Sequence, residues 1–296
     1  MSVGLSIGSA EPATAQCRAV LAGRFPGIEV GSPADWFALL SLYPHDREGR
    51  RALDVLGLPP AEAFRYALVN AIIEAVPRLM QTPLDPAVRR LTLDMLGRIA
   101  APPPDWEPHF SDPWRRAELA QFVTLRRFAA GQHDWEVAGL PRSWVFKFHP
   151  VDLPRVALAL GRMGGFTPFA ALHLDAYRSN RLMMLESGMR TSMARIARSL
   201  ERQDWMRGLM ARSWFYDPQV AELTPHLGWL RRFFLDNGAV VVPMEHAPED
   251  AGFLVGSAAR RRLFAEGRFR PRTTLVLWPR EAMLAWVRAQ APEDEP

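Results

Sequence analysis

The 296-residue chain has one cysteine, Cys17, and one lysine, Lys147, against 26 prolines and 20 glycines. A lone cysteine closes no internal disulfide, so a disulfide scaffold is excluded, and the scarcity of thiols fits a reducing, cytoplasmic setting. No run approaches the roughly 18 apolar residues of a membrane span. The first residues lack a basic region ahead of an apolar one, so no signal peptide is expected. Neither GxxxxGK[ST] nor GxGxxG occurs, which removes both standard glycine-rich phosphate loops, and there is no GxSxG nucleophile elbow. The seven histidines are scattered and have no cysteine cluster to join, so no zinc site is expected. Disorder is excluded too, because 48% of residues are hydrophobic and the net charge is only +4. What remains is an ordinary globular chain, long enough for one large domain or two modest ones.

What the chain has in abundance is arginine: 35 of its 36 cations. Codon usage in a GC-rich genome accounts for most of that bias. Guanidinium forks are also the side chains that grip phosphate and carboxylate in pairs of hydrogen bonds. Residues 1–150 carry sixteen acids and sixteen bases, whereas residues 151–296 carry sixteen acids and twenty arginines. The cationic excess therefore belongs to the second half. No DNA- or RNA-binding module accompanies it, so nucleic acid is not the expected partner.

The expected fold is a helical N-terminal domain over 1–140 followed by an α/β domain over 141–296. Ser32-Pro33, Asp85-Pro86 and Asp112-Pro113 each place a capping side chain before a proline at the first helical position. The run 60–80 reads as a further helix that Pro77 should kink or end, and no strand is predicted before about residue 142. After a loop at 131–141 the pattern changes. Short apolar runs at 143–148, 169–174, 208–215, 239–244 and 273–278 read as strands. Between them, 152–163, about 178–203, a short stretch after Pro218, 257–266 and 280–290 read as helices, the alternation of an α/β layer. Gly164 and Gly165 follow a helix and read as its C-terminal cap.

Three constellations carry chemistry. His173 and Asp175 end one predicted strand and His246 follows another. Two histidines and a carboxylate are the facial set of a non-haem Fe(II) oxygenase, and Arg260 or Arg262 would hold the keto acid's carboxylate. That set resembles the pattern of 2-oxoglutarate dioxygenases, although a helix directly after Asp175 departs from their all-β architecture. The second constellation runs from Gly256 through Ser257 to Arg260, Arg261 and Arg262. Ser257 is a good N-cap, the small residues let an anion approach the backbone, and a helix start favours phosphate. The competing reading is a solvated basic helix. The third is the segment 212–234. There Trp214, Phe215 and Tyr216 should alternate across a strand end, and Trp214, Tyr216 and Asp217 fall where α/β sheets tend to place ligands. Aromatic core packing explains the same residues.

The order of features from His173-Leu174 through Glu186-Ser187, then Ser213-Trp214-Phe215-x-Asp217-Pro218, then Pro225-x-Leu227 and Leu230-x-Arg232-x-Phe234 resembles divergent GNAT-superfamily acyltransferases that carry a helical N-terminal domain. The resemblance lies in the second half; the first half matches in helical character alone. It implies an acyl-CoA or acyl-carrier thioester as co-substrate, a small-molecule amine acceptor and no metal. It places the pyrophosphate at Gly256–Arg262, acid–base work among Glu186, His173 and Tyr216, and substrate contacts at Trp214 and Asp217. The basic half would suit an acidic acyl-carrier protein. The family's Gln/Arg-x-x-Gly-x-Gly/Ala loop is absent, as is a tyrosine in the last helix. A non-catalytic partner of a biosynthetic enzyme is the third reading.

Overall fold

The computed structural model describes residues 10–25, 36–42, 53–54, 56–174, 185–247, 254 and 257–290. The chain divides into two compact units, Met1–Glu136 and Val137–Pro296.

The first unit is built on helices α1 (Ala10–Arg24), α2 (Trp36–Leu42), α3 (Pro60–Gln81), α4 (Pro86–Ala100) and α5 (Pro113–Val123). The Asp-Pro starts act as their chemistry requires. The Asp85 carboxylate accepts the Ala87 N–H at 2.9 Å, and that of Asp112 accepts the N–H groups of Trp114 and Arg115. The Ser32-Pro33 start lies outside the described residues. Helix α3 is the axis of the unit, with Phe64, Leu68, Val69, Ile72, Val76 and Leu79 all sealed from solvent. It continues through Pro77 to Gln81, so Pro77 does not end it. An interior proline costs a helix about 3 kcal/mol; burial of Val76 and Leu79 on either side of Pro77 offsets it.

A second departure follows α5. Strand β1 (Arg127–Ala129) turns back as an antiparallel pair with β2 (His133–Ala138), so strand structure begins before residue 142. Both strands bury charge: Arg127 pairs with Asp134 and with Glu118, each at 3.2 Å. Charged residues on a buried face hide the alternation from a hydrophobicity reading.

In the second unit the predicted strand at 143–148 is a 3-10 helix, Arg142–Lys147. Pro141 starts it by accepting the N–H of Trp144 at 2.9 Å, and its apolar residues do not form a buried row, since Phe146 is 90% exposed. Then come α6 (Leu153–Arg162), β3 (Phe169–Leu174), α7 (Glu186–Glu201) and β4 (Gly208–Ser213). They are followed by α8 (Pro218–Leu223), α9 (Gly228–Asp236), β5 (Val240–His246), α10 (Ala258–Ala265), β6 (Arg272–Pro279) and α11 (Arg280–Ala289). The strands lie in the order β3-β4-β6-β5; β3 and β4 are parallel, and the other neighbours are antiparallel.

Period-two alternation splits these strands between two cores. Phe169, Ala171, Met210, Val242, Met244, Leu275 and Leu277 pack with Val156, Leu160 and Met163 of the α6 region. On the opposite face Trp278 meets Phe233, Phe234 and Trp286, with ring centroids 5.3–5.6 Å apart. A sheet covered on both faces needs apolar residues at nearly every position, which explains why β3, β5 and β6 read as continuous apolar runs. Among the described residues, no helix is long and apolar enough to cross a membrane.

Candidate functional site

The distinguishing feature of the second unit is where β3 and β4 part. Ala170 pairs with Leu209 and Ala171 with Met210, and among the described residues the register goes no further. On its other side β4 stays paired with β6 from Gly208 to Ser213. Burial falls along both strands in the same direction: Phe169, Ala170, Leu209 and Met210 are buried, whereas Leu174 is 42% exposed and Arg212 faces solvent. Where a parallel ladder ends, an extended chain can run alongside the strand edge and pair with it. His173 lies on β3 within the parting stretch. Arg212, on β4, lies 4.6 Å from the Trp144 ring and pairs with Glu245 at 3.3 Å, and Lys147 joins the same carboxylate at 2.8 Å. Sequence reasoning missed this cluster, because its members are 33 and 98 residues apart.

Beyond β4 the chain does not continue as a strand. Trp214–Tyr216 forms a 3-10 turn, begun by the Ser213 hydroxyl accepting the Phe215 N–H. The expected alternation is therefore replaced by stacking, with the Trp214 and Phe215 rings 4.0 Å apart. These two, with Val220, Leu263, Phe264 and Phe269, form a small core under α10. The Arg260 guanidinium lies 5.3 Å from the Trp214 ring centroid. Partial burial lowers its pKa from the ordinary guanidinium value, and it remains a cation at neutral pH.

Of the sequence-predicted residues, the structure thus brings Trp214 and Arg260 together. Ser257 caps α10 by accepting the Arg260 N–H at 3.2 Å. Arg261 donates to the Leu254 carbonyl at 3.1 Å, and Arg262 approaches Glu266 at 3.7 Å. Asp217 holds the turn: one carboxylate oxygen accepts the Gln219 N–H and the other the Arg272 N–H, each at 2.8 Å. Tyr216 is buried edge-on against Phe234 at 5.4 Å, and burial drives its phenol pKa upward, keeping it neutral. Glu186 opens α7 and is bound by both Nε and Nη2 of Arg190. Gly256 and Asp175 lie outside the described residues.

Of the metal set, the described residues hold the two histidines. His173 on β3 and His246 on β5 are separated by three strand spacings, roughly 14 Å, and the His246 Nδ1 faces the Arg270 carbonyl at 3.2 Å. Among the described residues no group of three or more His, Cys, Asp or Glu side chains gathers as a metal site.

No protein-family model and no curated protein matches the chain. Among solved structures it is similar to an acyltransferase in complex with CoA and 10C-teicoplanin, at 13% identity and a TM-score of 0.49 over 82% of this chain and 76% of that one. It is also similar to an acyltransferase mutant in complex with octanoyl-CoA, at 16% identity and 0.46, over 82% and 75%. A third is an acyltransferase in complex with decanoyl-CoA, at 15% identity and 0.38, over 91% and 76%. Similarity at this level assigns no residue a role.

Proposed function

We propose that the second unit is an acyltransferase domain of GNAT type, moving an acyl group from a CoA or carrier-protein thioester to an amine. The observation that carries the reading is the parting of β3 and β4 after two pairs, while β4 stays fully laced to β6. A pantetheine arm is an extended chain with two amides. It suits a slot whose walls are backbone N–H and C=O groups, as an added strand suits a sheet edge.

The chemistry asked of the protein is modest. Attack of a neutral amine on a thioester carbonyl needs the two held in contact, the amine's proton removed, and the C–S bond broken with the thiolate leaving as the thiol once it takes up a proton. His173, on the parting stretch, is the residue we assign to the proton. Glu186, held by Arg190, and Tyr216, enclosed by the core, then serve the site through charge and shape. The polyanionic end of CoA is assigned to Gly256–Arg262; there, at the start of α10, Ser257 and Arg260–Arg262 combine backbone donors with guanidinium groups. Trp214 carries Arg260 from beneath, and Asp217 holds the turn that positions Trp214.

Calorimetric titration of the full chain with acyl-CoA and with an acylated carrier protein tests the reading and separates the two donors. Binding of either, weakened at least tenfold in Arg260→Ala/Arg262→Ala, is the expected result. Absence of binding by both at millimolar concentration overturns it. If donor binding persists but acyl transfer survives in His173→Ala, the proton assignment alone falls.

A further inference from the structure

The second unit has a polar pocket at the end of the sheet away from the parting strands, where β4 begins and β6 ends; Gly208 pairs there with Pro279. Three chain segments carry its charged walls. Arg162 closes α6, Asp204 and Arg207 lie between α7 and β4, and Arg280 and Glu281 open α11. The buried side chains of Met163 and Met206 supply the apolar part of the lining. The pocket measures about 200 Å³, room for about seven waters at roughly 30 Å³ each. That is below the roughly 300 Å³ of a drug-sized site, so it suits a ligand of few heavy atoms.

Three guanidinium groups and two carboxylates share this small space, yet no ion pair within 4.0 Å joins any of them. Elsewhere in the unit such groups do find each other: Arg190 meets Glu186 at 2.7 Å and Arg288 meets Glu201 at 2.6 Å. The backbone keeps the pocket's charges in place. The Arg207 N–H donates to the Pro168 carbonyl at 2.9 Å, and the Arg280 N–H donates to the Arg207 carbonyl at 3.1 Å. The Arg280 guanidinium is tied to the end of α7 through the Leu200 carbonyl, at 3.1 Å. That of Arg207 lies against Gly164, where an added Cβ would come within 3.1 Å of Nη1. Arg162, Arg207, Asp204 and Glu281 are all exposed, so a ligand can reach their charged ends. Among the described residues, none of these four side chains makes a hydrogen bond.

We propose that this pocket binds a small α-amino acid as its zwitterion. The ligand's carboxylate lies on Arg162 and Arg207, its ammonium on Asp204 and Glu281, and a short apolar side chain against Met163 and Met206. Guanidinium groups take a carboxylate in paired, charge-assisted hydrogen bonds, and the two acids accept from the ammonium. A plain anion meets repulsion from Asp204 and Glu281, and a plain amine meets it from the arginines. A ligand with both charges satisfies both sets. Because the backbone already holds Arg207 and Arg280 in place, less ordering is needed on binding. The pocket shares no residue with those assigned to the thioester, and the proposal stands or falls independently of that reading.

The test is a titration of the full chain with alanine and valine, read by protein-observed NMR. Each is set beside its amide and its deamino acid (propionate or isovalerate), and inorganic phosphate is the plain-anion control. At least one of the two amino acids should bind tenfold or more tightly than its amide, its deamino acid and phosphate. Arg162→Gln and Arg207→Gln should each weaken that binding several-fold; both side chains are exposed, so either variant that folds reads the site. Asp204→Asn/Glu281→Gln should weaken the amino acid at least tenfold and leave its deamino acid bound no more weakly. Absence of amino-acid binding at millimolar concentration, equal binding of an amino acid and its deamino acid or phosphate, or undiminished binding in Arg207→Gln or in Asp204→Asn/Glu281→Gln overturns the proposal.

Discussion

The Asp217 carboxylate accepts the backbone N–H of Arg272 at 2.8 Å, across 55 residues of chain. Its other oxygen caps α8 through Gln219, so one side chain locks the turn after β4 to the first residue of β6. Asp217→Ala strands two backbone donors and should cost about 2–4 kcal/mol, the sum of a lost cap and a lost charge-assisted bond. Asp217→Asn keeps one acceptor oxygen and should recover roughly half. Urea denaturation of the three proteins checks both, and equal stability of wild type and Asp217→Ala contradicts the assignment.

His133 is buried in β2, and burial pulls its pKa down from 6.5 to about 4. Its native form is therefore the neutral imidazole. Above pH 6.5 the group costs nothing; as pH falls, the unfolded chain protonates first and native stability is lost progressively down to about pH 4. The full loss is on the order of 3 kcal/mol. Comparing wild type with His133→Gln at pH 7 and pH 4.5 should show that much less acid sensitivity in the variant, and parallel pH profiles would refute it.

Cys17 is 1% exposed on α1, and burial pushes its thiol pKa up to about 11. The thiolate is the reactive form, so Cys17 should resist a disulfide reagent at pH 8 for as long as α1 stays docked. Labelling should become stoichiometric in denaturant. Rapid labelling of the native protein would show that α1 leaves its seat.

Gly208 begins β4 with φ +145°, and a Cβ there would run into the Trp278 carbonyl oxygen and press the Arg280 N–H at 2.9 Å. Both obstacles are backbone and cannot step aside. Gly208→Ala should therefore destabilise by about 3 kcal/mol or more, through the forbidden backbone region and the close approach together. A soluble variant with an unshifted thermal midpoint would contradict this account.

Parts of this architecture are legible in the residues because the signals are local. Asp85-Pro86 and Asp112-Pro113 announce helix starts through chemistry within three residues, and Ser257 does the same for α10. The runs 169–174 and 273–278 announce buried strands because both faces of the sheet are covered. The misread places are those where a distant partner decides. Arg127 and Asp134 look like surface charges until each is seen to neutralise the other inside the fold. Pro77 looks like a breaker until its flanking residues prove to be buried. The apolar run 143–148 looks like a strand, yet Pro141 winds it into a 3-10 turn. At the candidate site Trp214 and Arg260 lie 46 residues apart in the chain, and no spacing rule brings a strand-end tryptophan to that helix.

The stitching of β3 to β4 has a mechanical consequence. Six residue pairs lace β4 to β6, and two hold β3 to β4. Force across the sheet therefore concentrates on Ala170–Leu209 and Ala171–Met210, which yield one at a time, like a zipper, while the laced piece moves as a rigid blade. Among the described strand pairs of the second unit, that seam has the fewest ladder pairs.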